Sequence, residues 1–182
     1  MKPLTEFTTK SGKEVELWEP SMDRIGQALE FVNRLVDEDT FLTFTAGDRK
    51  TLDQEKLWIQ QKIKDIDNNR GYLIWAILDD KIIGSCDIWR GITLRDQHVG
   101  KLGIMVDRDF RHGGIGKFMM ELILEKARKM KLKIIKLDLF SNNIPALNLY
   151  KKFGFKEYGK LPNGLFRKDE YSDEIKMYKE IS

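Results

Sequence analysis

Three glycines, at 113, 114 and 116, follow Arg111 and His112 in the run Val106-Asp107-Arg108-Asp109-Phe110-Arg111-His112-Gly113-Gly114-Ile115-Gly116-Lys117. Before it, Leu102, Ile104 and Val106 alternate with Gly103 and Met105, as in a largely buried strand. After it, Ile115, Phe118, Met119, Leu122, Ile123, Ala127 and Met130 recur at helical spacing. The glycines therefore lie where a strand turns into a helix. Small residues at such a junction let successive backbone N–H groups close around an anion, and the unpaired N–H groups of the first helical turn add their dipole there. Arg111 would bring a full positive charge to the rim. The chemistry indicated is the binding of a phosphate-bearing ligand, although a plain strand-to-helix connection would use the same residues. The order Gly113-Gly114-Ile115-Gly116 lacks the spacing of a dinucleotide-binding turn. No Gly-Lys-Ser/Thr closes it, as a P-loop would require.

From Arg111 to Gly116 the turn reads R-x-x-G-x-G. After room for one helix and one strand, Asn143 to Phe155 reads N-x-x-A-x-x-L-Y-x-K-x-G-F. The two motifs in this order resemble the GNAT superfamily of N-acetyltransferases, and the resemblance covers about Gly100 to Phe155. It implies acetyl-CoA as co-substrate, with its pyrophosphate on Arg111, His112, Gly113, Gly114, Ile115, Gly116 and Lys117. In that superfamily the preceding strand presents main-chain groups to the pantetheine and the thioester carbonyl, which here means Ile104, Met105 and Val106. Tyr150 stands where the family has its general acid beside the sulfur, and Asn143 would bond the pantetheine or cap its own helix. Asp138 matches a position where ribosomal-protein N-terminal acetyltransferases often carry Glu, which makes it the candidate base.

Moving an acetyl group from a thioester to an amine needs an anchored donor, a stabilised oxyanion, an unprotonated amine and a proton for the departing thiolate. Tyr150 can supply that proton, but it also shares a helical face with Ala146, Leu149 and Phe153 and would suit a core. Asp138 lies on one strand face with Lys136 and Phe140, so an ion pair with Lys136 or Lys101 competes with its role as base. For the acceptor, Asp37-Glu38-Asp39 precede Thr40-Phe41-Leu42-Thr43-Phe44. Between the first two helices, a segment that commonly shapes the acceptor pocket in this superfamily, Glu38, Asp39 and Phe41 would suit a cationic amine such as a polyamine or a peptide amine. The same triplet also reads as a solvated helix end. A non-catalytic acyl-CoA sensor on the same fold is the alternative function.

The elements that must position these residues follow in order. Phe7 to Pro20 reads as a hairpin turning at Lys10 to Lys13, and Ser21 caps a first helix. Thr51 starts a second helix reaching about Asn68, and two strands meet across Asp79-Asp80. His98 to Val106 is the central strand and Lys133 to Phe140 the next. Asn143 then caps a short helix that Gly154 ends. Two final strands, about Phe155–Leu161 and Glu170–Lys179, are expected to flank a turn containing Asn163-Gly164. The expected architecture is one α/β domain over 1–182, GNAT-like, with a mixed, mostly antiparallel sheet and helices on both faces.

Composition agrees with a soluble globular protein and argues against other classes. The chain has 182 residues, 41% hydrophobic and 34% charged, with a net charge of +3. That balance is too small to argue for nucleic acid, and the run Lys126, Arg128, Lys129, Lys131 and Lys133 complements a helix C-terminus. No apolar stretch approaches the ~20 residues of a membrane span, and no signal-peptide pattern opens the chain. The lone cysteine, Cys86, excludes an internal disulfide and, with these absences, suggests the cytoplasm. No metal-ligand spacing occurs, so no metal is expected; a homodimer is left open.

Overall fold

The computed structural model describes residues 3–42 and 45–181. Thr43 and Phe44, part of the expected acceptor segment, lie outside the described residues. Strands β1 (Thr5–Thr8), β2 (Glu14–Trp18), β3 (Gly71–Leu78), β4 (Lys81–Arg90), β5 (Val99–Val106), β6 (Ile134–Phe140), β7 (Lys156–Arg167) and β8 (Glu170–Glu180) form one sheet in the order β1-β2-β3-β4-β5-β6-β8-β7. All neighbours run antiparallel except β5 and β6. A parallel pair cannot be joined by a tight turn, and the connection between those two strands is the long helix α3 (Ile115–Lys129). The expected mixed, mostly antiparallel α/β architecture is present.

Two apolar layers cover the middle of the sheet, leaving β7 exposed. On one face, α3 sets Ile115, Met119, Met120, Ile123 and Ala127 against Ile74, Ala76, Cys86, Ile88 and Leu102. The short helix α4 (Ile144–Lys152) closes the same side, with Tyr150 in the cluster. On the other face, α1 (Ile25–Glu38) and α2 (Leu52–Asp67) pack Ala28, Phe31, Leu35 and Ile59 on Leu73, Trp75, Ile77 and Ile82. Strand β3 is covered from both sides and is buried along its whole length, so it reads as a continuous apolar run.

The helix starts follow their caps. Thr51 accepts from the Gln54 N–H while the Gln54 side chain accepts from Thr51, a reciprocal box that satisfies two orphan donors. Asn143 accepts from the Ala146 N–H, with Pro145 in the first turn, where a missing N–H costs nothing. Asp79 and Asp80, both at positive φ, make the two-residue turn between β3 and β4.

One expectation is corrected. Asn163-Gly164 does not turn the last hairpin. Strand β7 continues to Arg167, and the turn is made by Lys168 and Asp169, both in the left-handed region. Asn163, also left-handed, instead lies at a shift of register between Leu161 and Leu165, where its N–H donates to Asp173 Oδ1 at 3.0 Å. The left-handed preference of Asn-Gly is used, but in a bulge rather than a turn.

Ile123 is fully buried between α3 and the sheet. Its replacement by alanine should cost about 2–5 kcal/mol through lost burial and a residual cavity, read as a lower urea midpoint with an unchanged m-value.

Candidate functional site

Strand β5 pairs with β6 at only three positions, Val99↔Ile134, Gly100↔Ile135 and Lys101↔Lys136. Beyond them β5 stays bonded to β4 as far as Val106, and β6 stays bonded to β8 as far as Phe140. The two strands therefore part in the middle of the sheet, and residues 102–106 and 137–140 form the walls of a wedge. Main-chain groups facing into it have no ladder partner, which is costly unless water or a ligand satisfies them. Ile104 and Val106 pack toward α3 and Met105 toward α1 and α2. The bonds from Gly91 N–H to Val99 O and from Asp107 N–H to Ile83 O put the main chain of 99, 101, 103, 105 and 107 on the β4 side, so Ile104 and Val106, and not Met105, face the wedge with their main chain.

The glycine turn stands at the open end. His112 (φ 65) and Gly114 (φ 95) are left-handed on either side of Gly113, an alternation that turns successive N–H groups to one side. Among the described residues, no carbonyl accepts from the N–H groups of Gly113 to Lys117. A Cβ on Gly114 would be strained at this φ and would meet the Phe7 ring at 3.1 Å. Phe7 is itself stacked on Phe118, 4.7 Å between centroids, so the hairpin at the N-terminus braces the turn from outside. The Ile115 side chain is buried, whereas Lys117 is exposed and lies 3.6 Å from Glu121.

Arg111 is used differently from the sequence expectation. Its guanidinium grips the Glu38 carboxylate with two bonds of 2.6 and 2.7 Å, and its Nε donates to Val106 O at 2.9 Å. Its charge is thus neutralised at the end of α1. Glu38, expected to face an acceptor, is the other half of that pair. Arg34 adds a second tie, bonding Asp107 at 2.9 Å and Ile82 O at 2.8 Å. Asp37 pairs with Arg49, and Asp39 ends α1 in the left-handed region with its carbonyl accepting from Arg167 at 2.7 Å. The carboxylates of Asp37 and Glu38 are therefore engaged within the chain, whereas Asp39 is held through its main-chain carbonyl. Phe41 lies edge-on to Phe140, 5.6 Å between centroids, under the Arg167 guanidinium at 4.3 Å. That places Phe41 at the far end of the β6 wall.

The expected acid and base stand in different surroundings. Tyr150 lies in the core beside Phe155, ring centroids 5.7 Å apart. Burial, then the proximity of Cys86 and Asp87, pushes its hydroxyl well above the usual tyrosine range, so it keeps its proton at any ordinary pH. Asp138 is ion-paired with Lys101 at 2.9 Å, the competing role weighed from the sequence.

A carboxyl not singled out from the sequence is more unusual. Asp87 sits on β4 opposite Gly103 of β5, on the face that carries α1 and α2. Burial pushes its pKa up to about 6, against the opposing pull of a hydrogen bond from Trp89 and the charge of Lys62. It lines a cavity of about 710 Å³ shared with Lys62, Trp89, Lys101, Gly103 and Lys136. Its sequence signal was a lone acid in the apolar strand Ile82-Ile83-Gly84-Ser85-Cys86-Asp87-Ile88-Trp89.

Comparison with known proteins agrees with this geometry. The family model described as "Acetyltransferase (GNAT) family" matches residues 31–155, well over half of the chain. An L-amino acid N-acetyltransferase of Escherichia coli is 30% identical over 103 residues, 56% of this chain and 64% of that protein. A spermine/spermidine N(1)-acetyltransferase of Bacillus subtilis is 32% identical over 77 residues, 42% of this chain and 45% of that protein. Neither match reaches two thirds of the relative's own length. Among solved structures, a GNAT-family acetyltransferase of Streptococcus pneumoniae superimposes with a TM-score of 0.84 at 22% identity, covering 92% of this chain and 99% of that one. That likeness is one of fold.

The Arg111–Glu38 pair makes a separable prediction. Arg111→Ala should lower stability by about 1–3 kcal/mol, because a half-buried carboxylate loses both donors and the turn loses its tie to α1. Glu38→Gln, which keeps an acceptor oxygen, should cost less. Equal urea midpoints for wild type and the alanine variant would show the pair to be energetically idle.

Proposed function

The chain belongs to the GNAT family of acetyltransferases, and from that premise we propose that it moves an acetyl group from acetyl-CoA to a primary amine by direct attack in a ternary complex. The observation that carries this reading is the parted β5–β6 pair beside a turn of unpaired N–H groups, with a buried, protonated tyrosine in the core on the α3–α4 side of the sheet. The turn from Arg111 to Lys117 holds the pyrophosphate with main-chain donors, while Arg111 itself shapes the turn through Glu38 and Val106. The main chain of Ile104 and the Val106 N–H receive the pantetheine amides and polarise the thioester carbonyl, doing so without reorganisation because they are fixed in a sheet. Asn143 is already committed to the Ala146 N–H through its side-chain oxygen, which leaves its amide nitrogen for the cofactor.

The amine attacks the carbonyl carbon, the C–N bond forms, and the C–S bond breaks as the thiolate takes the Tyr150 proton. A hydroxyl held well above its usual range suits this task, since it stays an acid until a strongly basic thiolate develops beside it. The acceptor is a polyamine or a peptide amine entering over the α1–α2 face, past Phe41 and Phe140. The name of the Bacillus subtilis relative supports a polyamine. The engagement of Asp37 and Glu38 leaves Asp39 and the aromatic pair as the better support for the entry point.

Two measurements test the reading. Gly114→Val should weaken acetyl-CoA binding about tenfold or more on calorimetry, because a β-branched side chain both strains the turn and strikes Phe7. Tyr150→Phe should lower kcat by about 10²–10⁴-fold on a panel of spermine, an alanyl peptide and a free L-amino acid, with acetyl-CoA affinity unchanged. A Phe variant with the wild-type rate would reduce Tyr150 to packing, and a wild type that binds acetyl-CoA but turns over no amine would make the chain an acyl-CoA sensor.

A further inference from the structure

Asp87 and Gly103 face each other across the β4–β5 ladder. A Cβ at Gly103 would lie 2.9 Å from Asp87 Oδ1, closer than a real Cβ approaches such an atom. The glycine is therefore what lets the carboxyl lean over the β5 main chain. It does so two residues past Lys101, the last position at which β5 and β6 pair, within the 102–106 wall of the wedge. From the other side of the sheet, Tyr150 is close enough to sense the charge of Asp87. Asp87 is open to the cavity on its own face and enclosed by protein elsewhere. A second carboxylate in reach of the wedge, Asp138, is bonded to Lys101.

We propose that Asp87 is the proton acceptor for the attacking amine, working from the α1–α2 face of the wedge while Tyr150 donates from the α3–α4 face. The inference rests on the acetyl-transfer reading above. At neutral pH the amine arrives as an ammonium ion, which has no lone pair. Asp87 takes one proton, directly or through one water in the cavity. The freed nitrogen attacks the thioester carbon, the C–S bond breaks, and the thiolate takes the Tyr150 proton. The phenolate recovers a proton from the nitrogen of the new amide, and Asp87 passes its own to solvent. The balance is one ammonium and one thioester in, one amide, one thiol and one proton out.

The surroundings fit that duty. Lys62, from α2, lies over the Trp89 ring at 3.7 Å, half-buried, with its own pKa lowered by burial, and it faces Asp87. Trp89 bonds the carboxyl from β4. Lys101 and Lys136 line the cavity from β5 and β6, and Asp65 lies farther along α2. Tyr150 and Cys86 are the ionisable groups across the sheet, and Cys86, whose thiol burial also pushes up, stays neutral. A carboxylate poised near 6 is ionised at pH 7 and basic enough to accept a proton, where an exposed carboxylate near 4 would be a poorer acceptor. The acid and the base are pushed apart by their environments, as acid–base pairs in active sites are.

The sign of the pH dependence follows. Below about pH 6 Asp87 is protonated and cannot act, so kcat/KM for the amine should fall as pH drops through that value. The test is the pH profile of kcat/KM for wild type and Asp87→Asn, using whichever of spermine, an alanyl peptide or a free L-amino acid the wild type turns over fastest. Asn preserves shape and an acceptor oxygen for Trp89. The expected result is a loss of about 10²-fold or more at pH 7. The limb near pH 6 should vanish, and activity should recover as pH rises toward the pKa of the free amine, with acetyl-CoA affinity and melting temperature unchanged. A variant with the wild-type rate and the same acid limb overturns the proposal while leaving acetyl transfer intact. Equal loss of rate at every pH, with weaker acetyl-CoA binding, also overturns it by showing a structural role. A wild type that acetylates none of the three amines sinks the acetyl-transfer reading first, and this proposal with it.

Discussion

Much of this structure depends on a parallel strand pair that stops pairing. Antiparallel neighbours can be closed by two residues, as Asp79-Asp80 and Lys168-Asp169 do, but β5 and β6 must be joined by a crossover. The crossover helix has to begin at the C-terminal end of β5, the same end at which the two strands diverge. Topology alone thus puts the positive N-terminus of α3 beside the open mouth of the wedge. The unpaired main-chain groups within and the unpaired N–H groups at the mouth form one continuous surface of donors and acceptors. A long, flexible ligand with an anionic middle and amide-rich arm is the kind of molecule that satisfies both.

The charges nearest this surface hold it in shape rather than face outward. Arg111 and Arg34 tie the end of α1 to the β5–α3 connection, and Arg167 reaches back to the carbonyl of Asp39 while covering Phe41. An ion pair that is bidentate and partly buried fixes orientation as well as distance. Arg34, Arg111 and Arg167 therefore fix where the chain leaves α1. Asp87, an acid whose pKa burial raises, lies where a glycine on the facing strand makes room for it.

The fold was largely legible in the sequence because its signals are local. Caps at Thr51 and Asn143, the alternation of 102–106 and the turn at Asp79-Asp80 each act over a few residues, and each stands where expected. Asn163-Gly164 misled because its preference is for a left-handed backbone, which a bulge and a turn both require; only pairing across to β8 decides between them. The site was legible where main chain does the work, since the glycines declare the backbone geometry. It was not legible where long side chains choose partners. Nothing in the spacing of Glu38 and Arg111, 73 residues apart, predicts their pairing. Nor does an aspartate in an apolar strand reveal that the facing residue on the next strand is glycine.

Hydrogen–deuterium exchange of the backbone amides, with and without acetyl-CoA, addresses the central claim most directly. It reads the main-chain groups assigned to binding without depending on the acceptor. The account predicts that acetyl-CoA slows exchange at the unpaired amides of Ile104 and Val106 and at the turn amides of 113–117, and leaves β1 and β2 unchanged. Unaltered exchange in both segments at saturating acetyl-CoA would contradict it.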